Sequence, residues 1–293
     1  MRNYLIGACL ACAAANPALA NDEDAENTPE GIDWSVSASG GLTMVDGDGD
    51  QPFFRLGVTR FIGAGYVRAS ATRFSTRDGA GLVDTVPAST AQVSLAGGYS
   101  FGSLAIDAYG SLGWRDFDPE AFRQRTGQMI EIESDGTIAG AGVSLTYEVE
   151  LGDGTLLSPF IAGDINRVDI ARAITVVGRG TISQKESQSG ETGSLGFTLD
   201  RALGNGGHAI GAYAAFVATS NSAVAIRSSA PVAAARLFGP LDVPGSSDSW
   251  LEYGGSATLG LSEAVLLDFS VVRTASFPGE ESTSFSAGTR FRF

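Results

Sequence analysis

The last ten residues of the chain alternate strictly between two kinds of side chain. Apolar or neutral side chains occupy every second position, at Phe285, Ala287, Thr289, Phe291 and Phe293. The positions between them are small or basic: Ser284, Ser286, Gly288, Arg290 and Arg292. Because successive side chains of a strand point to opposite faces, this pattern predicts a β-strand with one apolar face and one hydrated face.

The same alternation recurs along the chain and predicts twelve strands. They span residues 34–45, 52–61, 66–77, 91–101, 104–115, 137–149, 156–168, 192–203, 208–220, 249–261, 264–274 and 284–293. Short turns, near residues 64, 102, 150, 204 and 262, alternate with longer polar loops at 46–51, 78–90, 116–136, 169–191, 221–248 and 275–283.

This alternation of connection lengths favours a transmembrane barrel over a soluble sandwich. Outer-membrane barrels have short periplasmic turns, long external loops and an even number of antiparallel strands. Strands in hydrocarbon must also close on themselves, because an unpaired backbone amide there costs several kcal/mol. We therefore predict an all-β fold: a single closed antiparallel transmembrane β-barrel of about 12 strands over residues 34–293, with both termini in the periplasm.

The fifth predicted strand shows the two faces of such a barrel wall. Leucine, isoleucine, alanine, glycine and tryptophan alternate over residues 104–114, and Asp107 and Arg115 lie on the other face. We expect the first face to contact outer-membrane lipid. Aromatic residues near strand ends are typical of the interfacial girdle of membrane barrels: Trp34, Phe101, Trp114, Tyr147, Phe277 and Phe293.

The first 33 residues indicate export. Residues 1–20 combine Arg2, a short apolar run and a small-x-small ending, which predicts a secretory signal peptide cleaved after Ala20. Both cysteines lie inside it, so the mature chain has none. Residues 21–33 form a short acidic periplasmic leader. The predicted location is the outer membrane of a bacterial cell.

The net charge is −14, which argues against nucleic acid as a partner. Ten charged residues share the inner face by strand parity. Charges of both signs in a confined pore tune which ions and solutes pass, although such residues also pair across narrow barrels and fill them. The predicted pore-lining residues are Arg55, Arg68, Asp107, Arg115, Glu148, Asp164, Glu252, Asp268, Arg290 and Arg292.

The sequence gives little support for catalysis. His208 is the single histidine, and a serine triad needs a base beside its nucleophile. The acid pairs Asp116 with Asp118 and Glu131 with Glu133 fall in a predicted external loop, where solvated charges are common. We therefore predict no enzymatic activity and no cofactor.

Asp46, Asp48 and Asp50 alternate like the start of a calcium loop. However, Gln51 and Gly57 stand where that loop carries glycine and a bidentate glutamate. We predict no metal site here, and an Asp-Gly hairpin turn explains the run as well.

Three stretches carry a family resemblance: "LLSPFIAGDINRVDI" (156–170), "TGSLGFTLD" (192–200) and "FSAGTRFRF" (285–293). They resemble the twelve-stranded translocator barrels of autotransporters and related stand-alone outer-membrane barrels. The resemblance implies that Pro159 and Phe160 start a strand and that Phe291 and Phe293 form the signal for the barrel-assembly machinery. It also implies a passenger domain before the barrel, whereas here only about a dozen polar residues separate the signal peptide from the first strand.

The function that these features favour is passive passage of small hydrophilic solutes or ions. Two alternatives stay open. One is a non-conducting surface or adhesion barrel whose acidic loops bind a partner. The other is an autotransporter-like translocator without its own passenger.

Overall fold

A computed structural model describes residues 33–45, 50–76, 88–123, 127–204, 207–221, 247–276 and 281–293. Its regular elements are fourteen β-strands. They are β1 (Trp34–Val45), β2 (Gln51–Ile62), β3 (Gly65–Thr76), β4 (Ala88–Phe101), β5 (Leu104–Phe117), β6 (Glu120–Arg123), β7 (Met129–Tyr147), β8 (Val149–Gly152), β9 (Thr155–Val176), β10 (Gly180–Ala202), β11 (Ala209–Thr219), β12 (Asp248–Gly260), β13 (Val265–Ala275) and β14 (Ser282–Arg292). Within the described residues, no helix is long and apolar enough to cross a membrane.

Twelve of these strands pair into one closed antiparallel ring. The order is β1, β2, β3, β4, β5, β7, β9, β10, β11, β12, β13 and β14, and β14 pairs again with β1. Reciprocal backbone hydrogen bonds of 2.9 and 3.0 Å between Trp34 and Phe293 join the start of the first strand to the end of the last strand. The short strands β6 and β8 pair only with β7 and β9. The prediction of a single closed barrel of twelve antiparallel strands is confirmed.

Apart from the three-residue β9–β10 turn, which lies at the opposite end, the connections β2–β3, β4–β5, β7–β9, β10–β11 and β12–β13 lie at one end of the barrel. This end also carries Trp34 and Phe293, and we call it the turn end. Gly63 and Gly102 adopt positive φ angles of 58° and 65° in two of these turns. A side chain at either position would strain the backbone there, so glycine fits the tight reversal. We call the opposite end the loop end.

The outer face carries an apolar belt. Exposed large apolar side chains occupy most of the outward positions, for example Leu104, Ile106, Leu112 and Trp114 on β5 and Ile161 and Ile165 on β9. Small residues occupy the outward positions between them, at Ala108, Gly110 and Gly163. Towards the loop end, the outward positions then become charged, with Arg167 and Asp169 on β9 and an acidic row over 131–135 on β7. A membrane-spanning strand needs about 9–11 residues, and the belt on β5 has this height.

Three strands continue well beyond the belt. β7, β9 and β10 contain 19, 22 and 23 residues, and β9 and β10 stay paired up to Val176 and Gly180. The prediction that 169–191 and 116–136 are loops is therefore wrong, since most of both segments is strand. These extensions were missed because they emerge into water, where both faces can be polar and the apolar alternation disappears.

The first residues of β4 (88–90) also extend into a segment predicted as loop. The predicted loops at 46–51, 78–90 and 221–248 lie largely outside the described residues, and the loop at 275–283 lies partly outside them. Asp46, Asp48 and Phe277 also lie outside the described residues.

The inner face of the barrel is less polar than the alternation of side chains predicts, because two apolar clusters lie on it. The first packs Phe53 and Phe74 of β2 and β3 against Ile138, Val168 and Ile170 of β7 and β9. Those strand pairs are separated in the ring by β4 and β5, so these side chains reach across the lumen. The second cluster lies on β9 and β11–β13: Phe160, Tyr213, Ala215, Val217, Trp250 and Val272.

Candidate functional site in the barrel lumen

All ten residues predicted to line a pore lie on the face opposite the apolar belt. Five are almost fully buried, with exposures from 1% to 6%: Asp107, Arg115, Glu148, Glu252 and Arg290. The other five have intermediate exposure: Arg55, Arg68, Asp164, Asp268 and Arg292. The structure thus brings these charges into the lumen, and whether they line a conducting path stays a prediction.

With the exception of Arg115 on β5, the predicted charges of the lumen are separated by sign. Four arginines lie on neighbouring strands β14, β2 and β3, with only the serine-rich strand β1 between them. We call this set the basic wall: Arg55, Arg68, Arg290 and Arg292. The acids lie on the remaining side of the ring, from β5 round to β13: Asp107, Glu148, Asp164, Asp200, Glu252 and Asp268. Such an arrangement creates a field across the lumen.

A buried network centres on Asp107. The Tyr66 hydroxyl donates to Asp107 Oδ1 at 2.8 Å, and the Ser144 hydroxyl lies 3.4 Å from Oδ2. Tyr66 and Asp107 are 4% and 5% exposed. Donors of this kind stabilise a buried carboxylate that has lost its hydration. Gly98 faces the pair, and a Cβ there would collide with both side chains.

A second buried carboxylate, Glu252, is held by aromatic donors. The Trp250 indole donates to Glu252 Oε1 at 2.8 Å, and the Tyr213 hydroxyl donates to Oε2 at 3.1 Å. The Tyr213 ring in turn stacks on Phe160, with centroids 6.1 Å apart and planes 8° from parallel. Glu252 is therefore fixed within the second apolar cluster.

Hydroxyl groups and the carboxylate of Asp268 help to position the basic wall. Arg68 Nε donates to the Thr59 hydroxyl at 2.9 Å, and Arg290 Nη2 donates to Asp268 Oδ1 at 2.9 Å. The Thr258 hydroxyl donates to the same Asp268 oxygen at 3.0 Å. Charged side chains held by short hydrogen bonds give the wall a defined geometry.

A cavity of about 60 Å³ lies against this wall. Its charged lining consists of Arg55, Arg68, Arg290 and Asp268, and serine hydroxyls from β1, β3, β13 and β14 complete it. Since a water needs roughly 10–15 Å³ of such volume, the cavity has room for several water molecules or a small ion.

Sequence reasoning missed the partners of these charges. Asp200 is 2% exposed on the inner face of β10, and Tyr66, Tyr213 and Trp250 hold the buried acids. Their strand parity places all four inside, so the signal existed. Tyrosine and tryptophan are also typical of the interfacial girdle of membrane barrels, so parity alone does not identify them as partners of buried acids.

The candidate catalytic groups lie apart from this lumen. His208 directly precedes β11 at the turn end, where its backbone oxygen accepts a 2.8 Å hydrogen bond from Leu203. Asp116, Asp118, Glu131 and Glu133 are exposed towards the loop end. The described residues contain no group of three or more histidine, cysteine or acidic side chains that could hold a metal.

Arg167 and Asp169 form an ion pair at the upper border of the belt, with Arg167 Nη2 3.0 Å from Asp169 Oδ1. Hydrogen bonds from the Arg167 guanidinium, and one from Ser187, lower the pKa of the Asp169 carboxyl below its ordinary value. Both groups are solvent-exposed, so the pair marks the edge of the membrane-facing region and adds little stability.

Comparison with known proteins places this architecture among barrel proteins. The translocator domain of autotransporter NalP from Neisseria meningitidis superimposes with a TM-score of 0.65 and 15% identity, covering 90% of both chains. The β-domain of the Bordetella autotransporter BrkA gives 0.60 and 16%, covering 90% of this chain and 100% of that one. The CymD monoaromatic hydrocarbon channel gives 0.51 and 10%, covering 92% and 91%.

No protein-family model and no curated protein sequence matches the chain. At identities of 10–16% the structural likeness establishes the fold. The chain has the fold of a bacterial outer-membrane β-barrel, and its belt, closure and strand lengths are those that an outer-membrane location requires. The resemblance to autotransporter translocator barrels, inferred from the sequence, is confirmed at the level of the fold.

Proposed function

We propose that this chain is a passive outer-membrane channel for small hydrophilic solutes or ions. The observation that carries the proposal is the separation of charge in the lumen, with the basic wall on one side and buried acids on the other. A field across a narrow aqueous path orients polar solutes and selects among ions. The ten predicted pore-lining residues, from Arg55 to Arg292, would shape that selectivity.

The path is expected to be narrow. The apolar cluster around Phe53, Phe74 and Ile138 reaches across the lumen near the loop end, and Glu252 is fixed within the second cluster. These clusters also favour the second candidate, a non-conducting surface barrel. In that case the exposed acidic row over 131–135 would be the part available to a partner.

The orientation follows from the same architecture. With short turns in the periplasm, the turn end and both chain termini lie there, and the polar extensions of β7, β9 and β10 point outwards from the cell. Phe291 and Phe293 are 47% and 61% exposed on the outer face of the closing strand. They are therefore accessible to the barrel-assembly machinery before the barrel meets lipid.

We propose no catalytic role, no cofactor and no nucleic-acid partner, in line with the acidic charge and with the distance of His208 from the lumen network. A translocator role remains the alternative that the likeness to the NalP and BrkA barrels supports.

Planar-bilayer recording of the refolded protein tests the channel directly. We expect stepwise currents with a small unit conductance. The variant Glu252→Gln keeps the size of the side chain but removes one charge from the acidic side, and we expect it to change the ion selectivity of the steps. A barrel that is fully inserted, shown by its resistance to external protease, and yet silent would reject the channel and leave the surface-barrel alternative.

A further inference from the structure

The cavity beside the basic wall has the composition of an anion site. Its lining brings three guanidinium groups, from Arg55, Arg68 and Arg290, against a single carboxylate, Asp268. Among the residues that line this cavity, positive groups outnumber negative groups by three to one. We infer that this cavity binds a small inorganic anion, with dimensions between chloride and phosphate.

The clearest indication is Arg290. This side chain is 4% exposed, yet its Nε and Nη1 groups have no hydrogen-bond partner among the described residues. Its remaining nitrogen, Nη2, donates to Asp268. Leaving charged donors buried and unmatched is costly, and an anion in the adjoining cavity would accept from them.

The neighbouring side chains hold the positive charge in place. Arg55 Nη2 lies 3.3 Å from the Ser70 hydroxyl, and Arg68 Nε donates to Thr59 at 2.9 Å. These two contacts are made to hydroxyl groups, and they help to orient the guanidinium groups. Arg68 lies close enough to Arg290 for the two guanidinium groups to repel each other, although Asp107 also attracts Arg68. A bound anion would reduce the repulsion between the two guanidinium groups.

The rest of the lining also suits a hydrated small ion. Ser35, Ser37 and Ser39 of β1, with Ser270 and Ser286 of β13 and β14, present hydroxyl groups that donate to an anion. The volume of about 60 Å³ accommodates chloride or phosphate with a few waters and excludes an organic solute of drug size. The buried acids Asp107 and Glu252 are not among the cavity-lining residues.

Binding of an anion to the cavity can be measured without measuring ion conductance. Isothermal titration of the refolded barrel with inorganic phosphate should give a saturable signal that chloride competes away. Arg290→Gln should weaken phosphate binding at least tenfold. Arg73→Gln is the matched control, because Arg73 is exposed on the outer face of the same barrel, and it should bind as the wild type does.

Arg55→Gln provides a second test if Arg290→Gln does not refold, since Arg55 is only partly buried, and it should also weaken binding. The inference is overturned if the wild type shows no saturable binding of phosphate or chloride. It is equally overturned if the folded Arg290→Gln or Arg55→Gln variant binds as tightly as Arg73→Gln.

The inference has a consequence for ion selectivity that rests on the proposed channel function. In a KCl gradient the wild-type reversal potential should favour chloride, and Arg290→Gln should shift it towards potassium. A silent barrel that still binds phosphate would reject the channel and keep the anion site. A conducting barrel with no binding and no shift in Arg290→Gln would keep the channel and reject the site.

Discussion

Replacing Gly98 by alanine tests the packing of the lumen network with a single methyl group. Gly98 lies on the inner face of β4, opposite Asp107 in the strand register. A Cβ at this position would overlap Asp107 Oδ1 and the Tyr66 ring, and would lie 2.8 Å from the Tyr66 hydroxyl. The two side chains must therefore move apart, which breaks their 2.8 Å hydrogen bond.

Two contributions set the size of the effect. Forcing an extra methyl group into a packed interior costs roughly 1–3 kcal/mol. Losing a hydrogen bond to a buried charged group costs roughly 1.5–3 kcal/mol. Moving the two side chains apart relieves the overpacking but breaks the hydrogen bond, so the two costs are not fully additive. We therefore expect Gly98→Ala to lower the free energy of unfolding by about 2–5 kcal/mol.

Gly110→Ala is the control. Gly110 lies on the outer face of β5, and a Cβ there meets no atom within 4 Å. Since alanine also restricts the unfolded chain, this change should be neutral or stabilising by up to about 1 kcal/mol. Urea unfolding of both variants in phospholipid vesicles, followed by tryptophan fluorescence, measures the difference.

A double-mutant cycle with Tyr66→Ala shows whether the contact with Tyr66 causes the loss of stability in Gly98→Ala. In a Tyr66→Ala background the ring and the hydrogen bond are already absent, so Asp107 can move away from the new Cβ into the space that the ring leaves. Gly98→Ala should therefore cost less than in the wild type. Equal unfolding midpoints for Gly98→Ala and Gly110→Ala would refute the argument. So would a cost for Gly98→Ala that is unchanged when Tyr66 is removed.

Three further predictions address stability, assembly and orientation. Trp250→Phe removes the indole donor to Glu252 and leaves a void, so the free energy of unfolding should fall by about 2–4 kcal/mol in urea titrations; an unchanged midpoint would contradict the network. Deleting Phe293 should slow insertion of the newly made chain in cells while leaving refolding into detergent intact, as pulse-labelling and heat-modifiable gel mobility would show; equal insertion rates would count against an assembly signal. Cysteine at Arg179, in the β9–β10 turn, should react with an impermeant maleimide on intact cells, whereas cysteine at Asp153 should react only after lysis; the reverse result would invert the proposed orientation.

Strand parity explains why so much of the fold was predictable. Over β5 each residue from Leu104 to Arg115 could be assigned to a face, because lipid and lumen impose opposite chemistry on alternate positions. The closing strand from Ser282 to Arg292 was predicted for the same reason. Outside the belt this constraint ends, and the paired segment around Val176 and Gly180 was predicted as a loop.

The contacts across the lumen could not be predicted in this way. Parity shows that Phe53 and Ile138 point inwards, but it does not show that strands β2 and β7 bring them together. The same holds for Arg290 and Asp268, whose contact depends on the register between β13 and β14. The residues of the lumen were thus predictable individually, whereas the cavity and the basic wall required the register and closure of the ring.

The central claim is that the apolar face of each strand contacts lipid and that the charged face encloses the lumen. Spin labels placed one at a time along residues 104–115 of β5, in bilayers, measure this directly through collision with oxygen, which concentrates in hydrocarbon. The account predicts high oxygen accessibility at the even-numbered positions from Leu104 to Trp114 and low accessibility at Asp107, Ser111 and Arg115. Uniform accessibility, or a maximum at the odd-numbered positions, would contradict it.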